Sequence, residues 1–310
     1  MKAAPRAVVF AYHNVGVRCL KVLLAHGVDV VLLVSHQDNP KETIWFDSIA
    51  ETATRYGIPV VTPDDPNTVE FRTDIAALQP DFIFSFYYRQ MLSPALLELA
   101  PRGAYNMHGS LLPKYRGRVP VNWAVLHGES ETGATLHTMV EKPDAGDIVA
   151  QQAVPILPDD TAKDVFDKVT LAAEIALHRV LPVLLAGTAV FRPQDQSKAS
   201  YFGGRKPEDG RIDWTQPAAA IHNLIRAVAP PYPCAFFDLD GHRFTVAGSL
   251  HQTRRQARNA TPAIYQDGAH LQADCVDGGV LRLFGVAVDG ISVENTQFAA
   301  RLRHHPILLT

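Results

Sequence analysis

The sequence predicts an α/β protein, with a Rossmann-like, mostly parallel sheet covered by helices on both faces and a smaller β domain after it. Three observations carry this. Short β-branched runs alternate with helical stretches through the first half. A polar, glycine-bearing stretch, Arg192 to Arg211, interrupts the pattern. Beyond one more helix, turn signals come at short intervals, as in a small β-barrel or sandwich.

In order, Ala7 to Ala11 reads as a first strand, followed by a helix from Gly16 to Ala25 that Gly27 closes. Asp29 to Ser35, Pro59 to Thr62, Phe82 to Ser85 and Ala104 to Met107 supply further strands, with a helix from Ile44 to Tyr56 between the first two of these. Ala134 to Val140 is strand-like, and Thr161 to Leu185 is helical, with Asp159 and Asp160 favourably placed near its start. The stretch from Arg192 to Arg211 reads as a linker, which puts a first domain at 1–203 and a second at 204–310. In the second, Pro217 opens a helix running to Ala227, and turns fall at Pro230-Pro231, Asp240-Gly241, Asp267-Gly268 and Gly278-Gly279.

Composition narrows the function. A 310-residue chain that is 47% hydrophobic and 20% charged can bury enough surface to fold. A net charge of −3 offers no general attraction to a polyanion, so no nucleic-acid partner is expected. Cys19, Cys234 and Cys275 lie too far apart for a zinc motif or a disulfide framework, so no metal is expected. The apolar run Ala7 to Ala11 is too short for a signal peptide, and no stretch reaches the roughly 18 apolar residues of a span. A cytoplasmic protein without membrane insertion is the expectation. His13-Asn14-Val15-Gly16 stands where a dinucleotide site would carry G-x-G-x-x-G, which disfavours a dinucleotide cofactor.

Two stretches carry chemistry. Asn106 and His108 alternate on one strand, so both side chains leave on the same side, and the strand stops at Gly109, where such sheets bind ligands. Asp144 lies between Pro143 and Gly146 in a tight loop that can turn its carboxylate toward a cleft.

Together, Asn106-x-His108-x-Ser110-Leu111-Leu112-Pro113 and Asp144-x-Gly146 resemble the formyltransferase family that uses 10-formyltetrahydrofolate. The resemblance extends through Gly128 to Gly133, Ile212-Asp213-Trp214 and Ile221 to Ala227, and so covers essentially the whole chain. It implies an OB-like barrel for the second domain and 10-formyltetrahydrofolate as the formyl donor. Asn106, His108 and Asp144 are its implied catalytic residues. An amine attacking a formyl carbon generates an oxyanion that Asn106 and a protonated His108 can meet with donors. His108 is the natural proton shuttle, and a carboxylate beside it favours the imidazolium. Folate-contacting segments of relatives fall on Gln90, Met91 and Leu92, on Arg118, and on Val140, Glu141, Lys142, Pro143 and Asp144. Some relatives carry His where Gln90 stands.

The acceptor is read from the loop after the second strand. Enzymes of the family that act on initiator tRNA carry a longer, basic loop there, whereas Ser35 to Asp47 holds one lysine against three acids. Val9 to His13, His36 to Pro40 and Phe84 to Arg89 resemble the branch that formylates UDP-4-amino-4-deoxy-L-arabinose. That resemblance implies a nucleotide-sugar partner and a role in lipid A aminoarabinose modification and polymyxin resistance. Better-known members of the branch are fused to a decarboxylase domain; this chain resembles the transferase half standing alone, and the expectation is then a possible separate decarboxylase partner. The alternatives are another nucleotide-amino-sugar formyltransferase, a methionyl-tRNA enzyme using Arg254, Arg255 and Arg258 as a phosphate patch, and a folate-binding regulator without turnover. The oligomeric state is not legible.

Overall fold

The computed structural model describes residues 3–40 and 42–309. Lys41, the one lysine of the loop after the second strand, lies outside the described residues, as do Lys2 and Thr310. In chain order the elements are β1 (Arg6–Ala11), α1 (His13–Ala25), β2 (Asp29–Val34), α2 (Ile49–Arg55), β3 (Val60–Val61), α3 (Val69–Ala77), β4 (Phe82–Phe86), α4 (Pro94–Leu97) and β5 (Ala104–His108). There follow β6 (Arg116–Gly117), α5 (Pro120–Leu126), β7 (Glu131–Thr138), β8 (Ile148–Pro155), α6 (Ala162–Leu185) and β9 (Tyr201–Phe202). The chain continues with α7 (Ala218–Ala227), β10 (Ala235–Leu239), β11 (His242–His251), β12 (Ala263–Asp267), β13 (His270–Asp274) and β14 (Val280–Val288). β15 (Ile291–Ser292), α8 (Phe298–His304) and β16 (Ile307–Leu308) complete it.

Two compact units result. One comprises Met1–Pro120, Glu131–Val154 and Asp167–Gly203; the other comprises Val121–Ser130, Pro155–Phe166 and Gly204–Thr310. The first is built on a sheet of order β3-β2-β1-β4-β5-β7-β8. β3, β2, β1, β4 and β5 run parallel, as expected, and β7 pairs antiparallel with β5. β1 is central, and Ala7 to Ala11 have no exposed surface, the mark of a strand covered on both faces. Gly16 lets α1 approach closely, because a Cβ there would lie 3.1 Å from the Ala11 Cβ. Gly27, at φ +73°, closes α1, and the Val28 N–H returns to the Leu23 carbonyl.

The expected linker reads differently in the structure up to Gly203. Arg192 bridges Ile148 antiparallel, Gln194 is buried, and β9 pairs with β6. Most of its polar side chains are exposed, but Gln194 is buried and the strand pairing and hydrogen bonds hold the segment against the unit, so it is not a free tether.

In the second unit the strands form one antiparallel, OB-like sheet of order β10-β11-β14-β13-β12-β16, with β15 on β14, so the sandwich alternative falls. Trp214, Ile221, Ile225, Phe237, Phe244 and Val246 fill its core. Arg255 and Arg258, candidates for a phosphate patch, both pair with Asp267. Among the described residues, no helix is long and apolar enough to cross a membrane.

The carboxylate of Asp274 has no exposed surface and accepts hydrogen bonds from the backbone N–H groups of Arg258 and Asn259, the Asn259 amide and the Tyr265 hydroxyl. Asp274→Ala strips the buried Tyr265 hydroxyl and the partly buried Arg258 and Asn259 donors of their acceptor, at a cost of about 3 kcal/mol. Denaturant unfolding is expected to show that loss, with Asp274→Asn intermediate.

Candidate active site

β5 ends in the site. Asn106 faces Ser85 of β4 on one side and His137 of β7 on the other, and His108 faces Thr135. The strand ends at His108, and position 109 admits only glycine because the Tyr87 hydroxyl occupies the space a Cβ would need. The following Ser-Leu-Leu-Pro loop is held from within. Ser110 Oγ donates to the Lys114 carbonyl, Thr135 Oγ1 donates to the Ser110 carbonyl, and Gln151 donates to the Leu112 carbonyl. Ser110 is therefore a structural member of its motif.

Asp144 arrives from the loop between β7 and β8, with φ +52°. The turn is tight: Thr138 N–H meets the Asp147 carbonyl at 2.9 Å, and Asp147 N–H meets Thr138 Oγ1 at 2.8 Å. A side chain at position 146 would collide with the Thr138 carbonyl, so the glycine of the motif is a steric requirement. The turn carries the carboxylate inward, where Gly117 N–H donates to Oδ2 at 2.9 Å. Around Oδ1 stand Asn106 Nδ2 at 3.4 Å and His108 Nδ1 and His137 Nε2 at 3.5 Å each.

The structure thus unites all three residues inferred from the sequence and adds His137, which sequence reasoning missed. His137 Nδ1 lies 2.8 Å from the Thr138 carbonyl, so it donates there and leaves Nε2 to accept from Asn106 Nδ2 at 3.1 Å. This sets which end of the Asn106 amide faces the carboxylate. No local pattern signals His137; its place follows from antiparallel register with β5.

Burial would by itself raise the Asp144 pKa, but the charges facing it from His108 and His137, with the His137 and Gly117 hydrogen bonds, hold the carboxyl well below the usual range. His108 is 6% exposed, and burial drives its pKa below the ordinary value. Asp144 and the Tyr115 carbonyl oppose that shift, while His137 and Arg116 add to it. Burial is the largest of these influences, and Asp144 is the largest that favours the charged ring. The His108 tautomer is fixed: Nε2 donates to the Tyr115 carbonyl at 2.7 Å, and the basic Nδ1 faces Asp144. A proton received at Nδ1 meets a carboxylate on arrival.

The remaining sequence candidates lie on the Asp144 loop, after β4 and after β6. Val140, Glu141 and Lys142 are exposed on the Asp144 loop, and Pro143 is half-buried. Gln90 follows β4 and is tied by its side chain to Tyr88 and the Asp64 carbonyl. The Met91 carbonyl accepts from Asn67, whose other end receives Ser93 N–H. Leu92 is buried in the core, so only its backbone is available to a ligand. Arg118 follows Gly117, with its side chain exposed and its N–H bonded to Phe202. Among the described residues, no cluster of three or more metal-ligating side chains is present.

Comparison with known proteins agrees with this architecture. Residues 17–181 match the model of the formyl transferase family, and residues 205–300 match that of the formyl transferase C-terminal domain. The chain belongs to the formyl transferase family and is a formyltransferase. Its fold is similar to that of WlaRD, a sugar 3N-formyl transferase solved in the presence of dTDP and 5-N-formyl-THF, with TM-score 0.72 and 19% identity over 91% of this chain and 97% of the other. An N-formyltransferase from Helicobacter canadensis, in complex with folinic acid and dTDP-3-aminofucose, gives TM-score 0.72 and 20% identity over 91% and 99%. A sugar N-formyltransferase from Shewanella sp. FDAARGOS_354 gives 0.62 and 17% over 78% and 96%.

Because Asp144 is a charge that raises His108 while burial lowers it, Asp144→Asn must lower the His108 pKa further. An NMR titration of the His108 ring is expected to show its midpoint moving down. An unchanged or higher midpoint contradicts the geometry.

Proposed function

We propose that this enzyme transfers the formyl group of 10-formyltetrahydrofolate to the 4-amino group of UDP-4-amino-4-deoxy-L-arabinose, in the modification of lipid A with aminoarabinose that underlies polymyxin resistance. The observation that carries the chemistry is the convergence of Asn106 and His108 on the Asp144 carboxylate.

Attack of the amine on the formyl carbon forms one C–N bond and places negative charge on oxygen. Collapse then breaks the bond to the folate nitrogen, which departs with a proton. Nothing is oxidised or reduced. Asn106 can turn the amide N–H that meets Asp144 Oδ1 at only 3.4 Å toward the oxygen where that charge develops, the kind of contact whose removal typically costs 10²- to 10³-fold in rate. His108 Nδ1 takes the proton lost by the amine and returns it to the leaving nitrogen; Asp144 stabilises the transient imidazolium. The exposed Val140 to Lys142 segment and the backbone of Gln90 to Leu92 flank this centre and suit a flat heterocycle bound chiefly by main-chain groups. The relatives solved with formyl folates support the donor.

The loop after β2 supports a small acceptor. Two of its three acids are engaged internally: Asp38 accepts from the Tyr12 hydroxyl at 2.6 Å, and Glu42 binds Arg89 at 2.9 Å. His36 stacks on Tyr88 with ring centroids 4.1 Å apart and accepts the Arg89 N–H. Burial and Arg89 lower the His36 pKa to about 4, so its ring is an uncharged aromatic surface near neutral pH. With Trp45 and Phe46 against His13, the loop forms an aromatic wall beside the carboxyl ends of β1 and β4, suited to a nucleoside and unlike the cationic track a tRNA backbone requires. The two dTDP-bound relatives support a nucleotide-linked amino sugar, and the resemblance of this loop to the aminoarabinose branch supports UDP-4-amino-4-deoxy-L-arabinose in particular.

Incubation with 10-formyltetrahydrofolate and a panel of UDP- and dTDP-amino sugars is expected to yield a product heavier by one formyl group, most rapidly from UDP-4-amino-4-deoxy-L-arabinose. His108→Ala is expected to lose turnover by about 10³-fold or more while still binding the folate. A faster reaction with another amino sugar would overturn the acceptor assignment. Near wild-type turnover by His108→Ala would overturn the roles.

A further inference from the structure

We infer that Gln194 is a positioning residue for the Asp144 loop, clamping that loop to the buried Arg116 guanidinium. Gln194 lies between α6 and β9, in the stretch that the sequence presents as a linker, yet it is only 7% exposed. Every hydrogen-bonding atom of its amide is engaged. Oε1 accepts from Arg116 Nε at 3.1 Å and Nη2 at 2.6 Å, while Nε2 donates to the Asp144 carbonyl at 2.8 Å and the Gly146 carbonyl at 2.6 Å. Arg116 is 2% exposed, and its Nη1 donates to Gln196 Oε1 at 3.0 Å.

The chemistry of the position is narrow. A side chain here must accept from a guanidinium and donate to two carbonyls at once, which suits a primary amide. A carboxylate supplies no donors, and an ammonium supplies no acceptor. The two carbonyls belong to the turn in which Asp144 holds a left-handed backbone, so fixing them fixes the direction in which its carboxylate leaves. Meanwhile the carboxylate itself binds the N–H of Gly117, the residue next to Arg116. The Asp144 loop is therefore attached twice to β6, once through its side chain and once through Gln194. Loss of the second attachment frees the turn to rotate the carboxylate away from Asn106 and His108.

The kinetic readout rests on the formyl-transfer reading above; the structural readout does not. Gln194→Met removes both halves of the clamp, whereas Gln194→Glu keeps a partner for Arg116 but sets a carboxylate against two carbonyl oxygens. Both variants are expected to lower kcat about 10- to 100-fold, the scale of a displaced catalytic group, with KM for the folate changed less than about threefold. In the Asp144→Asn background the same substitutions are expected to cost less than about threefold, because the group they position is already disabled. Unaltered kcat in folded Gln194→Met and Gln194→Glu, or an undiminished further loss on Asp144→Asn, would overturn the inference. If Gln194→Met does not fold, Gln194→Glu carries the comparison alone. If the wild type transfers no formyl group, the functional reading fails separately and a crystal structure of Gln194→Glu decides the clamp: loss of the Asp144 contact to Gly117 is expected, and its retention refutes the clamp.

Discussion

The placement of one buried carboxylate governs this site. Asp144 is 12% exposed in its side chain and sits where an amide, two imidazoles and a backbone N–H converge. An isolated carboxylate so buried would prefer to be neutral; the donors around it reverse that preference and keep it ionised. Its charge then acts on His108, whose burial pulls the opposite way. An imidazole with an anion beside one ring nitrogen can gain a proton there and give it up again, as transfer between two amines requires. Asp144 is thus less a reactant than a fixed electrostatic reference for the groups that react.

Much of the surrounding structure serves that placement. Gly146 is required because the loop runs against the Thr138 carbonyl, and Gly109 because Tyr87 fills the space beyond the strand. β7 contributes His137 through antiparallel pairing, and the Thr138 carbonyl sets the His137 tautomer that receives the Asn106 amide. The Ser110 loop closes over itself and presents the Tyr115 carbonyl to His108. The motif residues therefore divide into those that meet substrate and those whose side chain or size shapes the backbone.

The sequence was most legible where local periodicity and burial agree. β1 and β4 are covered on both faces and read as continuous apolar runs, and period two along β5 put Asn106 and His108 on one side. Asp144 could be found from its Pro/Gly turn and its motif spacing. α3 left little trace because Ile75 is its one buried residue, and α4 spans four residues, too few for a helical period. His137 and Gln194 were hidden for a different reason: each acts through a partner distant in sequence, and polar residues in strands and loops ordinarily signal solvent. The stretch from Arg192 to Gly203 looked like a tether because its hydrogen bonds are made to β6 and to the Asp144 loop, which composition does not record. The acids after β2 misled less, since their count already disfavoured a polyanion, though their engagement with Tyr12 and Arg89 was not visible.

The most direct measurement of the central claim is a crystal structure with 5-formyltetrahydrofolate, a stable isomer of the donor, and the amino-sugar nucleotide bound together. The account predicts a formyl oxygen within about 3 Å of Asn106 Nδ2, with the acceptor amine and His108 approaching the same carbon while Asp144 keeps its contact with Gly117. A formyl group bound away from Asn106 and His108, with these side chains undisturbed, would contradict it.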